Sequence, residues 1–357
     1  MTSRRAFLAG FAALALPFPT WADAGSPAFL AAAREGDGYR LHGLSAAGES
    51  LFSLPLPARG HAAAAHPDRP LAVAFARRPG TFALVIDCAG GTAGHRLTPP
   101  EGRQFNGHGV FSAGGEVLYT SEVVAETSQG RIGLWETAGF TRIGEWASGG
   151  IGPHDLKRLA DGSLIVANGG IATDPGDRSK LNLPDMRPNL TRLSATGTVL
   201  DQAELPPGLH RNSIRHLALG PDGRIAFAMQ WEGDPAEPVP LLGLWTPGHP
   251  ALLCPARPAE ALRMRGYAGS VAMTPAGEMA ITSPRGGVVM LFGRDGAPLA
   301  THSRADICGV AADASGQLVA SDGLGSLWRV GTEGLTLLTS RASAWDNHLV
   351  PVFAGSA

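Results

Sequence analysis

Residues 152–170 read GPHDLKRLADGSLIVANGG and contain one complete unit of a pattern that recurs along the chain. A short apolar strand leads into a turn that ends in glycine, and a second strand rich in β-branched residues follows. Glycine suits such turns because it adopts positive φ without steric cost. The recurring turns are Ala113-Gly114-Gly115, Ala160-Asp161-Gly162, Pro221-Asp222-Gly223, Pro275-Ala276-Gly277 and Ala314-Ser315-Gly316.

The spacing of these units predicts an all-β protein, a seven-bladed β-propeller. Innermost strands are expected near residues 61, 108, 154, 216, 270, 308 and 348, about 48 residues apart on average. The last start has too little chain after it for a whole blade, whereas residues 28–54 supply strands without an innermost strand. We therefore expect N-terminal strands to complete the last blade and close the ring. A pair of β-sandwiches competes with this fold but has no reason to repeat at blade length.

The bulk composition supports short strands and excludes several classes of function. The 357 residues include 48 Gly and 28 Pro, and only 17% are charged. With a net charge of -2 and no cluster of Lys and Arg, we expect no nucleic-acid partner. Beyond the N-terminus no apolar run is long enough to span a bilayer. We also expect the protein to be a monomer. No haem-attachment or nucleotide-binding motif occurs, so neither cofactor is expected.

The N-terminus has the features of an export signal. Residues 3–8 read SRRAFL, the apolar stretch Ala9–Phe18 follows, and Ala22-Asp23-Ala24 is a small-x-small cleavage site. This pattern predicts a twin-arginine signal peptide over residues 1–24, a propeller domain over residues 25–357 and a periplasmic location. An ordinary secretory signal with a chance arginine pair is the alternative. The twin-arginine route carries folded proteins, so a cofactor can be inserted before export.

Five of the seven predicted inner strands open on histidine, in a chain with only 11 histidines. Neutral imidazole binds iron, copper, zinc and nickel, so the pattern predicts a metal site at one end of the channel. The alternative is structural, because Gly60-His61 and Gly107-His108 look like the Gly-His pairs that tie blades together in WD-type propellers. The first residues of the seven strands are His61, His108, His154, His216, Ser270, Cys308 and His348.

Polar residues around these positions are candidates for supporting roles. Aspartates beside the strand starts could orient an imidazole or simply cap turns, and Cys308 could be a thiolate ligand or a buried apolar residue. Three arginines, Arg178, Arg215 and Arg285, could clamp a small anionic ligand or form surface ion pairs. The aspartates are Asp155, Asp306 and Asp346, and a polar outer ring at the ends of second strands comprises Arg77, Glu122, Asn168, Gln230, Arg285 and Asp322.

Several short motifs resemble those of a family of exported bacterial propellers of unknown function, often encoded near imelysin-type iron-uptake proteins. The resemblance covers nearly the whole chain after the signal. It implies a periplasmic role in iron handling, periplasmic iron-uptake proteins as partners, and iron in preference to copper or zinc. The motifs are Ala76-Arg77-Arg78-Pro79-Gly80, Gly107-His108-Gly109-Val110-Phe111, Gly152-Pro153-His154, Val166-Ala167-Asn168-Gly169-Gly170, Ser213-Ile214-Arg215-His216 and Ser283-Pro284-Arg285-Gly286-Gly287.

The sequence thus leaves three functions open. The first is a metal-binding propeller that serves iron acquisition or handling. The second is a metal-dependent periplasmic oxidoreductase with His-coordinated iron or copper, an analogy at the level of fold alone. The third is a scaffold that binds another protein without any metal. Metal content separates the first two functions from the third.

Overall fold

The strands form seven four-stranded antiparallel sheets, and each sheet is one blade of a β-propeller. The computed structural model describes residues 18–77, 80, 82–177 and 179–352. The innermost strand of each blade contacts the innermost strands of its two neighbours, and the series returns to its start. The predicted all-β seven-bladed propeller is confirmed.

Blades 1–3 follow one another along the chain, each running from its innermost strand to its outermost. Blade 1 comprises β4 (Gly60–Ala65), β5 (Leu71–Ala76), β6 (Ala83–Asp87) and β7 (Thr92–Leu97). Blade 2 comprises β8 (Arg103–Phe111), β9 (Val117–Val124), β10 (Gln129–Glu136) and β11 (Thr141–Ile151). Blade 3 comprises β12 (Pro153–Arg158), β13 (Leu164–Asn168), β14 (Asn189–Leu193) and β15 (Val199–Glu204).

Blades 4–6 repeat the same order. Blade 4 comprises β16 (Asn212–Leu219), β17 (Ile225–Trp231), β18 (Leu242–Trp245) and β19 (Leu252–Leu253). Blade 5 comprises β20 (Ser270–Met273), β21 (Met279–Ser283), β22 (Val288–Phe292) and β23 (Pro298–Ser303). Blade 6 comprises β24 (Ile307–Ala312), β25 (Leu318–Asp322), β26 (Ser326–Gly331) and β27 (Gly334–Ser340).

Blade 7 joins the two ends of the chain, as the sequence predicts. Its innermost strand, β28 (Ala344–Pro351), pairs with β1 (Phe29–Glu35), and β2 (Gly38–Leu44) and β3 (Ser50–Leu56) complete the sheet. The pairing satisfies backbone groups that would otherwise form an open edge in each terminal segment.

The apolar core is divided among the interfaces between blades. Seven clusters of buried residues occur in the described part of the chain, one between each pair of neighbouring blades. Both faces of each sheet are therefore packed, and the strands read as nearly continuous apolar runs such as β13. The side chains that line the channel therefore come from the ends of the inner strands.

Helices are few and short in the described residues. One α-helix, α1 (Pro258–Arg263), and four 3-10 helices occur there, at Trp21–Ala24, Leu183–Asp185, Pro207–Leu209 and Pro221–Gly223. None of the helices in the described ranges has the length and hydropathy to cross a bilayer. The connection between β13 and β14, residues 169–188, is the long insertion that the sequence predicts in blade 3, and we name it the blade 3 loop.

Candidate metal centre

The five predicted histidines converge on the axis of the propeller, although they come from five separate blades. Centroids of rings in consecutive positions lie 4.5–5.1 Å apart, and rings across the channel approach to 4.8 Å. Each of the five residues is at most 8% exposed. Two groups of three have ligand nitrogens within 4.8 Å of one another, and His108 belongs to both; the groups are His61, His108 and His154, and His108, His216 and His348.

Each of these histidines lies at an irregularity in its inner strand. Between Pro153 and Leu156 two residues of β12, including His154, face a single residue of β13. A register shift of one or two residues also occurs at or directly beside each of the other four histidines and at Cys308. Blade 5 carries Ser270 at this position and pairs without any shift. In a regular strand, side chains alternate between the two faces of the blade. A β-bulge interrupts this alternation, which accounts for imidazoles that point into the channel rather than into the blades.

The same irregularities explain where the predicted strand starts differ from the observed ones. β8 begins five residues before His108, and β16 and β28 each begin four residues before their histidine. The histidine is therefore inside the strand, at the bulge, and is not the first residue of the strand. The sequence predicted which residues occupy equivalent positions in the blades, but it did not predict where each inner strand begins.

Burial keeps three of these imidazoles neutral, those of His61, His216 and His348. It lowers the pKa of His61 to about 4. Burial and the neighbouring imidazoles lower the pKa of His216 and of His348 well below the usual value. At neutral pH these rings therefore retain a lone pair that can bind a metal. His108 Nε2 and His216 Nδ1 have no hydrogen-bond partner among the described residues, and the His61 and His348 Nε2 atoms are 3.3 Å apart.

Asp155 orients one imidazole from a neighbouring blade. Its Oδ1 lies 3.3 Å from His108 Nδ1, and its Oδ2 accepts the Leu217 N–H at 2.9 Å. Burial by itself would raise the pKa of this carboxyl, but Lys157 and His108 outweigh burial and hold the pKa well below its usual value. A carboxylate on Nδ1 directs Nε2 toward the axis, as in many metal sites.

Asp346 holds an equivalent position beside His61. Its Oδ2 accepts the Arg59 Nε–H at 2.6 Å, Arg77 Nη1 lies 3.4 Å from Oδ1, and His61 Nδ1 lies 3.7 Å from the same oxygen. Burial opposes ionisation, but His61, Arg59 and Arg77 lower the pKa of Asp346 to about 2. The sequence analysis did not identify Arg59 or Lys157 as part of the site. The only sequence signal was that Arg59 lies two residues before His61 and Lys157 two residues after Asp155.

Three residues of the predicted outer ring lie inside their own blades. Glu122, Asn168 and Asp322 are completely buried. Glu122 accepts two hydrogen bonds from Arg142 Nη1, at 2.7 and 2.9 Å, and Asp322 accepts from Arg304 Nε at 2.6 Å. The Asn168 amide binds Ser148, Asn189 and Thr191. These side chains make hydrogen bonds within a blade or to the neighbouring blade or connection, so they are not available to a ligand in the channel.

Ser270 and Cys308 occupy the two ring positions that lack histidine. The Ser270 hydroxyl accepts the Val310 N–H at 3.2 Å and thus joins blade 5 to blade 6. Cys308 Sγ lies 3.4 Å from the Asp346 carbonyl oxygen, and burial raises the pKa of its thiol to about 12. Cys308 is therefore a buried thiol at neutral pH, in keeping with the apolar interpretation.

The remaining candidates are dispersed around the same face. Gln230 Nε2 donates to the Ala268 carbonyl at 3.3 Å, and the Arg285 guanidinium stacks 4.2 Å from the centre of the Tyr267 ring. Asp306 is exposed at the start of β24, and burial and its neighbours Asp322 and Asp346 raise its pKa. Arg178 lies outside the described residues, as do the twin arginines Arg4 and Arg5.

A family model described as "Protein of unknown function (DUF1513)" matches residues 54–352. The chain belongs to this family. The match covers the propeller from the last strand of the N-terminal segment to the closing strand, and it assigns no activity.

No curated protein matches this family member. Among solved structures, hydrazine synthase of Kuenenia stuttgartiensis is similar with a TM-score of 0.59 and 13% identity, over 86% of this chain and 90% of that chain. U3-55K is similar with a TM-score of 0.59 and 14% identity, over 80% and 82%. The WD40 repeats of RRP9 give a TM-score of 0.58 and 15% identity, over 91% of both chains. Likeness at this identity supports the propeller fold alone.

Proposed function

We propose that this protein is a periplasmic metal-binding propeller that holds one transition-metal ion in the ring of His61, His108, His154, His216 and His348, in the service of iron acquisition or handling. The observation that carries the proposal is the convergence of five buried imidazoles from five blades, each at a bulge. A purely structural histidine needs only a hydrogen-bond partner, and it gains nothing from a position against three or four other imidazoles.

The residues present fit a metal ion chemically. Burial keeps His61, His216 and His348 neutral, and two nitrogens of the ring, on His108 and His216, lack any partner in the described structure. A separation of 3.3 Å between the His61 and His348 nitrogens is one that two ligands of a single ion can have at about 2.1 Å each. The Asp155 carboxylate strengthens His108 as a donor and offsets part of the ionic charge.

The preference for iron comes from the resemblance to propellers encoded near iron-uptake proteins. Imidazole is a ligand of intermediate softness that accepts iron, copper, zinc and nickel. The buried thiol of Cys308, with its raised pKa, adds no soft anionic ligand that would select copper or zinc.

Metal content tests the proposal directly. Protein isolated from the periplasm should contain about one transition-metal ion per chain by elemental analysis, with iron in excess. His108→Ala should remove it, because His108 belongs to both groups of three. His302→Ala is the matched control, since His302 lies on the outer strand β23 and bonds the Gly331 carbonyl. Stoichiometric metal in folded His108→Ala protein, or wild-type protein that cannot be loaded, would refute the proposal.

A further inference from the structure

A second polar site lies beside the histidine ring, under the blade 3 loop. Arg215 is the extra residue of the bulge in β16, and only 6% of it is exposed. Its Nε has no hydrogen-bond partner, and its guanidinium makes no ion pair with any residue in the described ranges. Buried arginine side chains are ordinarily paired with an anionic group. Arg215 has no such partner among the described residues.

The guanidinium lines a small cavity that leads to the surface. The cavity has a volume of about 30 Å³ and extends from Arg215 to the exposed Pro175 of the blade 3 loop. That volume is enough for a small polar group such as a carboxylate. Its other lining residues are Gln104, Asn106, Val123, Ser128, Gly152, Ile171, Thr173 and Asp174.

The charges around the cavity leave the guanidinium uncompensated. Glu232, the carboxylate that opposes the effect of burial on the Arg215 pKa, is itself paired with Lys180. Asp174 lines the outer part of the cavity, and its Oδ1 accepts the Gly176 and Asp177 N–H groups. Burial lowers the pKa of Arg215, but a guanidinium is not deprotonated at neutral pH.

We propose that this cavity binds the carboxylate group of a small organic anion through a charge-assisted hydrogen bond to Arg215. The planar guanidinium fork matches the two oxygens of a carboxylate. The carboxylate belongs either to a free small anion or to the end of a longer acid whose chain leaves past Pro175. The site stands without a metal, because none of its lining residues is a histidine.

Thermal unfolding of chelator-treated full-length protein tests the site with formate as the free anion and succinate as the longer acid. At ten times its dissociation constant, formate should raise the melting temperature by about 2 °C relative to sodium chloride of equal ionic strength. Arg215→Met should remove the increase. Arg215→Lys keeps the charge without the fork, so it should fold and weaken formate binding by about tenfold. Arg285 is an exposed arginine on the same face. The control variant Arg285→Met should therefore respond to formate like the wild type.

Equal responses in wild type and Arg215→Met would overturn the proposal, as would a response to sulfate that exceeds the response to formate. A response to formate but not to succinate identifies a free small anion, and a stronger response to succinate identifies the longer acid. Repetition with His108→Ala separates the two proposals. Loss of metal with a retained formate response supports both proposals, whereas retained metal with a retained formate response supports the carboxylate site alone.

Discussion

At the scale of single residues, the candidate site depends most on His108. Its ring belongs to both groups of three histidines, its Nδ1 faces Asp155, and its Nε2 is unpartnered in the described structure. The position of this residue was predictable because it repeats in register along the chain. The roles of Glu122 and Asp322 were not, because their arginine partners come from the outer strand of blade 2 and from the segment between blades 5 and 6. Spacing along the inner strands carries no information about those partners.

Asp155→Asn should weaken metal binding without unfolding the protein. The amide oxygen can still accept the Leu217 N–H, whereas the negative charge behind His108 is lost. Loss of such a partner reduces metal affinity about 10- to 100-fold, and competition against a chelator of known affinity would measure it. Asp161→Asn is the matched control, because Asp161 pairs with Arg192 in a half-exposed contact on the opposite face. Equal affinity of Asp155→Asn and wild type would show that the carboxylate does not support the site.

At the scale of secondary structure elements, the strands and their turns follow from local sequence, but the bulges do not. Glycine at the last position marks each turn, and the apolar runs between turns mark buried strands. A bulge depends on the register of two strands, for example the pairing of Pro153 with Asn168 and of Leu156 with Val166. No residue type signals that shift, so the sequence located the ring histidines but did not show how they reach the axis.

The short helix Trp21–Ala24 gives a prediction at the same scale. Trp21 is 3% exposed, and its Nε1 donates to the His66 carbonyl at 2.8 Å. In a chain that starts at residue 18, Trp21→Ala should lower the free energy of unfolding by about 3 kcal/mol. Cleavage after Ala24 should have the same effect. Urea unfolding measures both, and Phe18→Ala is the control because Phe18 is 81% exposed. An unchanged midpoint for Trp21→Ala would show that the helix does not pack on the propeller in solution.

At the scale of the whole molecule, ring closure makes the two ends of the chain interdependent. Trp345 and Leu349 of β28 are buried with residues of β1 in one cluster, and the number of blades follows from chain length and repeat spacing. Removal of residues 346–357 should therefore abolish cooperative unfolding of the entire propeller, measured by circular dichroism. Leu337→Ala, on the outer strand β27 and 51% exposed, should leave the transition cooperative. Retained cooperativity in the truncated protein would contradict closure by β28.

The buried histidines make the stability of the metal-free protein depend on pH. Burial, only partly offset by Glu35, lowers the pKa of His42 to about 4, and burial lowers that of His61 to the same value. In the unfolded chain these rings titrate near 6.5. Between pH 6.5 and 4 the unfolded state thus binds protons that the folded state does not, and the free energy of unfolding falls as pH falls. Each histidine contributes up to about 1.4 kcal/mol per pH unit in this window and nothing further above it.

Urea unfolding of chelator-treated protein at intervals between pH 7.5 and 4.5 would measure this slope. His42→Asn should flatten it by the contribution of one histidine, even if it also lowers stability at pH 7.5. His302→Asn should leave the slope unchanged, because His302 lies outside the ring on β23. Loading with metal should add stability at pH 7.5, and that gain should vanish toward pH 4.5 as protons compete for the imidazoles. A free energy of unfolding that stays constant from pH 7 to pH 5 would mean that the histidines are solvated in the folded protein, and the buried ring would then not exist in solution.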